Sequence, residues 1–448
     1  MRVLCLSNGH GEDAIALRIL RELQQQPNPP ELAALPIVGE GHAYIDNGIP
    51  RIGSVKTMPS GGFIYQDGRQ LARDIRGGLL QLTLAQLRAI KAWAQEAATP
   101  TPHTPHPTPH SLILAVGDIV PLLFARLSGL PYAFVGTAKS EYYLRDEGGW
   151  LPRASWWDDR LERWTGCIYH PWERWLMSHP HCKAVFPRDT ITAMSLKRQG
   201  IPAFDMGNPM MDGLEWREEK DKGLRIKDNS QALAFSTSQG ESRLEPSSLT
   251  IALLPGSRPP EAYANWETIL QAVNGMIAQM SRPLTFLAAI APGLELETLH
   301  KALMAYRWQQ VTEDTYTVGL GDRKSTLVLA QRRFAECLHQ ADAAIAMAGT
   351  ATEQFIGLGK PAIIIPGKGP QFTARFAEAQ TRLLGASVLL VKEPDRVAPV
   401  MQSLLQNPDA LQTIAENGRR RMGAPGAANR IAQCLMELHT PQNAPYTE

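Results

Sequence analysis

The sequence predicts an α/β protein made of two doubly wound domains in tandem, each of ~200 residues. Three observations carry that expectation. Short apolar runs alternate with amphipathic stretches from Arg2 to Gln199, the pattern of parallel strands covered by helices on both faces. The alternation pauses between about Met206 and Thr250, where Gly207-Asn208-Pro209 signals a turn and Glu215–Ser248 is rich in charge and serine. It then resumes and runs to Leu438 in a chain of 448 residues, too long for one small module.

The elements follow in order. Arg2–Leu6 reads as a strand, Ser7–Gly11 as a glycine-bearing turn, and Asp13–Gln26 as a helix with Ile15, Ile19, Leu20 and Leu23 on one face. Leu35–Val38 is the next strand, and Asp67–Ala97 a long helix that Gly77-Gly78 would interrupt. Strands at Leu112–Val116 and Tyr132–Val135 flank a helix at Ile119–Ser128; strand Ala184–Phe186 precedes helix Asp189–Gln199. The second series opens with strand Thr250–Leu254, helix Glu261–Met280 and strand Leu284–Ile290. Later come strand Ala343–Met347, helix Ala351–Leu358, strand Pro361–Ile365, helix Phe372–Leu383 and strand Ser387–Val391. Helices at Pro394–Leu405, Asp409–Met422 and Ala427–Leu438 complete the chain. The expected organisation is a first domain at 1–210, a junction at 211–249, a second domain at 250–425, and a terminal helix and tail at 426–448.

Composition narrows the function. Apolar residues make up 44% and charged residues 20%, as in a globular enzyme. Lys and Arg total 45 against 44 acidic residues, so a protein held to nucleic acid mainly by charge is not expected. Five scattered cysteines without a CxxC pair suit reduced thiols in a cytosolic protein and offer no zinc spacing. The apolar run at the N-terminus is too short for a signal peptide, and Leu112–Val135 is broken by Asp118, Pro121, Arg126 and Pro131, so no spanning helix is expected. Thr99–His110 is a proline-rich low-complexity stretch, read as a solvated loop whose His103, His106 and His110 offer at most weak metal binding. Six of the ten tryptophans fall between Trp150 and Trp175, interleaved with arginines. That pattern suits either a headgroup layer or an aromatic cluster between helices.

Four loops that follow strands carry chemistry, because ligands of doubly wound sheets bind at the carboxyl ends of strands. In Ser7-Asn-Gly-His-Gly-Glu-Asp13, Gly9 and Gly11 permit close backbone approach beside Asn8, but the full GxGxxG spacing is missing. His10 is either a general base or a structural histidine of the loop. Asp118 is either the cap of the following helix or a carboxylate that takes a proton from a hydroxyl. Leu254-Pro-Gly-Ser-Arg258 suits a diphosphate: Gly256 opens the turn, Ser257 donates, and Arg258 clamps bidentately. The fourth loop, Met347–Gln354, places Gly349, Thr350 and Ala351 where helix-start amides meet a phosphate, with Glu353 one turn in to accept from ribose hydroxyls. Gln371 and Lys368, in Gly367-Lys-Gly-Pro-Gln371, would close over the same ligand. Together these loops point to two domains facing across a cleft, one gripping a nucleotide diphosphate without a metal and the other supplying a base.

The segments LLPGSR (Leu253–Arg258) and AMAGTATEQ, GKPAIIIP and QFTARFAEAQ (within Ala346–Gln380) resemble the nucleotide-sugar half of GT-B glycosyltransferases, above all the lipid-A-disaccharide-synthase family. FDMGNPMMD (Phe204–Asp212) is similar to that family's domain junction, with Asn208 where the family carries histidine, and SNGHGED is similar in placement to its acceptor loop. The resemblance implies two Rossmann-like domains and metal-independent, inverting transfer of a sugar from a UDP-sugar to a lipid-linked hydroxyl. The donor would be a UDP-diacylglucosamine or a UDP-hexose, with no further cofactor, in lipid A biosynthesis or related lipid metabolism. It further implies Asp118 as the essential aspartate, His10 as the acceptor-loop histidine, Arg258 on the diphosphate and Glu353 on the ribose. The expected location is the cytoplasm or the cytosolic face of a membrane, touched through Trp150–Trp175. A UDP-N-acetylglucosamine 2-epimerase and a non-catalytic nucleotide-sugar binder are the alternatives.

Overall fold

The computed structural model describes residues 1–54, 79–98, 111–151, 165–215, 249–319 and 324–438. The Thr99–His110 stretch, residues 216–248 of the junction, Asp67–Gly78 of the expected long helix, and Trp156, Trp157 and Trp164 lie outside the described residues. The chain divides into two compact units. One comprises Met1–Asp212 together with Gly423–Glu448, and the other Gly213–Met422.

The first unit is built on five parallel strands in the order β2-β1-β3-β4-β7: β1 (Arg2–Ser7), β2 (Glu31–Pro36), β3 (Ser111–Gly117), β4 (Tyr132–Gly136) and β7 (Cys182–Pro187). Their apolar runs are buried on both faces, as in Val3–Leu6 and Leu112–Val116, which is why they read as continuous rather than alternating. Between the strands come α1 (His10–Gln24), the single turn α2 (His42–Ile45), α3 (Leu79–Ala98), α4 (Ile119–Ser128), α5 (Pro171–Met177) and α6 (Thr190–Lys197). A two-residue hairpin, β5 (Arg145–Asp146) with β6 (Gly149–Trp150), follows β4. The strand expected at Leu35–Val38 lies earlier: Glu31 to Pro36 pair in register with Arg2 to Ser7, and Ile37 continues only as one hydrogen bond to the Ser7 carbonyl. The expected turn at Ser7–Gly11 is also shorter, because α1 already starts at His10.

The second unit holds a sheet of order β10-β11-β12-β9-β8-β13-β14-β15. Its six parallel strands are β8 (Leu249–Leu254), β9 (Leu284–Ile290), β12 (Ser325–Gln331), β13 (Ala343–Ala346), β14 (Ala362–Ile364) and β15 (Val388–Leu390). Ranked in chain order they stand 3-2-1-4-5-6, the dinucleotide-fold order, with the reversal between β8 and β13. The antiparallel arm β10 (Gln309–Gln310) and β11 (Thr315–Val318) extends one edge. The helices are α7 (Glu261–Gln279), α8 (Leu296–Ala305), α9 (Phe334–Gln340), α10 (Thr350–Gly357), α11 (Ala374–Leu384), α12 (Val397–Leu405) and α13 (Pro408–Met422).

The last helix, α14 (Ala427–Glu437), belongs to the first unit and packs on α1. The Asp212 carboxylate explains where it starts: its oxygens accept from the amides of Gly426 (2.5 Å), Ala427 (3.2 Å) and Ala428 (2.6 Å). One buried side chain thus satisfies three of the donors that a helix start leaves open.

Candidate active site

In a doubly wound sheet, neighbouring strands whose connections leave in opposite directions open a crevice at their carboxyl ends. In the first unit that point lies between β1 and β3, and it brings Asn8 and Asp118 together. Asn8 Nδ2 donates to Asp118 Oδ2 at 3.2 Å, and Asp118 Oδ1 accepts from the Val120 amide at 2.8 Å. Asp118 is therefore the N-cap of α4, as the plainer sequence reading held, and its second oxygen is turned to Asn8. Gly117 makes this approach possible at φ 133°; a Cβ there would lie 3.2 Å from Glu12 Cγ and 3.6 Å from Asn8 Cβ.

The loop is braced from below. The Tyr44 hydroxyl donates to Ser7 Oγ (2.6 Å), which donates to the buried Asp13 carboxylate (2.5 Å). Asn8 itself is buried, and its Oδ1 has no hydrogen-bond partner among the described residues. Gly9 is the N-cap of α1 and contributes no side-chain cap. His10 and Gly11 occupy the first turn of the helix; the His10 side chain lies outside the described residues.

Burial pushes the Asp118 carboxyl above the ordinary carboxylate range, and the charge of Glu173 adds to that. The hydrogen bonds from Val120 and Asn8 act the other way. Glu173, buried on α5, is paired with Lys139 at 2.5 Å and accepts from the His170 amide at 2.8 Å. A desolvated carboxylate whose second oxygen is held by a neutral amide rather than a cation is suited to general-base work.

In the second unit the reversal lies between β8 and β13, and the turns after both strands carry the residues expected to hold a nucleotide. Gly256 sits at φ 96° in the turn after β8, followed by exposed Ser257 and half-buried Arg258. After β13, Gly349 is the N-cap of α10 with no side-chain cap, so Thr350 and Ala351 begin a helix whose start is unsealed by its own sequence. Glu353 is buried one turn in. Gln371 and Lys368 are exposed on the loop after β14.

Two residues that the sequence reading did not single out hold these turns in place. Asn265, buried on α7, donates from Nδ2 to the carbonyls of Pro255 (3.0 Å) and Met347 (3.3 Å), tying together the turns after β8 and β13. Glu261, at the start of α7, accepts from the Phe372 amide at 2.7 Å and the Gln371 amide at 3.0 Å, fixing the loop after β14. The signal was their position: both stand in the first turns of the helix that follows Pro255-Gly-Ser-Arg258. Each unit thus gathers its own cluster at its switch point: Asn8 with Asp118 in the first, and the 256–258, 349–353 and 367–371 turns in the second.

No family model matches the chain. A curated relative, the lipid-A-disaccharide synthase of Syntrophus aciditrophicus, is 24% identical over 267 residues, which is 54% of this chain and 59% of the relative's length. Among solved structures, a UDP-N-acetylglucosamine 2-epimerase from Listeria monocytogenes, described as putative by its authors, aligns with a TM-score of 0.54 at 13% identity over 97% of this chain and 96% of its own. A calicheamicin glycosyltransferase aligns with a TM-score of 0.53 at 13% identity, covering 98% of each chain. The epimerase of Neisseria meningitidis bound to UDP-GlcNAc aligns at 0.52 and 15%, over 98% of this chain and 100% of its own. These similarities, with the two strand orders, show the fold: GT-B, two Rossmann-like doubly wound domains.

Proposed function

We propose that the chain is an inverting, metal-independent glycosyltransferase that moves a sugar from a UDP-sugar to a hydroxyl of a lipid-linked acceptor. The observation that carries this reading is the pairing of a desolvated Asp118 with Asn8 at the switch point of the first unit, in a fold whose second unit bears an uncapped helix start and an arginine at its own switch point. The lipid-A-disaccharide synthase relative favours a lipid acceptor. The neighbour that holds UDP-GlcNAc favours a UDP-sugar donor.

In this mechanism Asp118 takes the proton of the acceptor hydroxyl as its oxygen attacks the anomeric carbon. The bond from that carbon to the diphosphate oxygen breaks, and UDP leaves. Positive charge grows on the sugar and negative charge on the leaving diphosphate. Arg258, Ser257 and the amides of Gly349, Thr350 and Ala351 stabilise the diphosphate, the kind of contribution that is usually largest in catalysis. Glu353 accepts from the ribose hydroxyls, and Gln371 closes over the nucleotide. His10 is the second candidate for the base, and Gly9 and Gly11 shape the acceptor loop.

Purified protein is assayed for UDP release from UDP-sugars with and without lipid extract. Lipid-dependent release supports transfer. Lipid-independent turnover of UDP-N-acetylglucosamine would instead make the protein an epimerase, and binding without turnover a nucleotide-sugar binder. Arg258→Ala is expected to weaken UDP about ten- to a hundredfold by calorimetry, the loss of a charge-assisted bidentate contact. Arg258→Lys recovers only part of it, because a point charge cannot replace the fork.

Asn8→Ala tests the base through its pH profile. Asn8 donates to the charged form of Asp118, so its removal raises the carboxyl further. The acidic limb of kcat/KM moves to higher pH in the variant. An unmoved limb would take Asp118 out of the base role.

A further inference from the structure

We infer that Lys139 and Glu173 are positioning residues for the base Asp118: the ion pair they form balances charge beside it and keeps its carboxylate ready to take a proton. The strand register brings them there. Gly117 of β3 pairs with Gly136 of β4, so Asp118 and Thr137 open neighbouring loops at the carboxyl ends of those strands. The Thr137 amide donates to the Gly117 carbonyl at 3.2 Å. Two residues further on, Lys139 Nζ meets Glu173 Oε2 at 2.5 Å, joining the loop after β4 to the first turn of α5. That helix packs against α4, which Asp118 caps.

The Glu173 side chain is only 4% exposed, and a carboxylate so buried stays charged only where a cation or hydrogen bonds hold it. Lys139 and the His170 amide, at 2.8 Å, converge on the same oxygen. The amide contact alone would serve a helix start; the lysine is brought in from another loop, rooted on the peptide that precedes Asp118. The other ionisable groups around the pair are engaged elsewhere or neutral. Arg174, next on α5, turns to Gln199 and the Thr165 carbonyl. Arg188, after β7, donates to the Thr137 carbonyl at 3.2 Å, and Asp189 caps α6. Tyr169 has its ring centroid 5.6 Å from Lys139 Nζ, and burial keeps its hydroxyl protonated. Burial and Lys139 hold His170 below the ordinary histidine range. On the far side of Asp118 stand the neutral Asn8 and, against Gly117, Glu12 of α1.

The charge of Glu173 reaches Asp118, where it adds to burial in favouring the protonated form. Lys139 supplies the compensating charge. Without the lysine, the carboxylate of Glu173 opposes a second anion nearby, and Asp118 gives up its proton only at higher pH. Without the charge of Glu173, the lysine is left to favour ionised Asp118, and the sign reverses. Loss of both restores the balance. The inference rests on the transferase reading for what Asp118 does; the coupling of the three charges is measured without turnover.

The test is a carbon-13 NMR titration of the full-length protein labelled at aspartate, with the Asp118 signal identified by its loss in Asp118→Asn. Lys139→Met is expected to raise the Asp118 midpoint by about 0.5–1 pH unit and Glu173→Gln to lower it by about as much. The double variant returns it close to wild type, and Lys139→Arg, which keeps the charge, leaves it there. The acidic limb of kcat/KM moves with the midpoint in each case. Glutamine at 173 still accepts from the His170 amide, Lys139→Gln is the second neutral variant at 139, and a wild-type melting curve certifies each protein as folded. An unmoved midpoint in a folded neutral variant at 139 overturns the inference, as do shifts of the same sign in the two single variants. A raised KM for the acceptor in Lys139→Met, with midpoint and pH limb unchanged, overturns it in favour of a lysine that touches substrate. Midpoints that shift as expected in a protein without turnover would defeat the transferase reading and leave the charge coupling standing.

Discussion

Asp118→Asn is expected to lower turnover about 10²–10⁴-fold, the usual worth of a positioned general base, while the protein stays folded. The choice of asparagine matters because Asp118 has two roles on two oxygens. Oδ1 caps α4 through the Val120 amide and Oδ2 faces Asn8. Asparagine is as good an N-cap as aspartate, whereas alanine would lose about 1 kcal/mol of helix stability together with the base. The pH argument has the same sign. Burial raises this carboxyl in the folded protein, so its favourable contribution is full below the ordinary carboxylate range and fades as pH climbs through the raised value. Above that raised value the buried anion is a burden that the neutral amide removes. Thermal melting near pH 7 should therefore move little, or upward, in Asp118→Asn. Turnover equal to wild type would show that Asp118 is a cap alone.

Gly418→Ala is expected to cost about 3 kcal/mol or more, by overpacking with no soft neighbour to yield. A Cβ at Gly418 would lie 2.1 Å from the Ile356 carbonyl oxygen and 3.1 Å from its carbon. Both belong to the backbone of α10, so α13 and α10 must part for the methyl to fit. For a unit of this size that corresponds to a fall of roughly 6–12 °C in Tm. The displaced helix is the one that begins at Thr350, so UDP affinity should fall with it. Gly11→Ala is the matched control: nothing lies within 4 Å of its added Cβ, and alanine in a helix is worth up to about 1 kcal/mol over glycine. Equal melting of the two variants would mean that α10 and α13 are not packed as described.

The two sheets were legible because their parallel strands are short, wholly apolar and separated by amphipathic helices; Leu284–Ile290 matches β9 residue for residue. The antiparallel arm was not, because β10 has two residues and β11 is a short Thr-Tyr-Thr-Val run, too little for periodicity to register. Strand β12 and helices α8 and α9 went unread in the same region, where the helix α9 has seven residues. Asp118 and Glu353 could be singled out in the sequence because each follows the end of a strand, where ligands of doubly wound sheets bind. Asn265 and Glu261 were not, because what they hold is backbone 82 and 110 residues further along the chain. A side chain that binds carbonyls and amides leaves no partner residue type in the sequence to recognise.

The return of α14 to the first unit fixes an order of synthesis. Residues 213–422 form one uninterrupted stretch and have all their parts once Met422 has left the ribosome. The other unit must hold α1 without its covering partner, and Asp212 without its three amides, until Ala428 and the helix behind it are made. A nascent chain stalled before Gly426 should thus carry a finished second unit beside a protease-sensitive first unit.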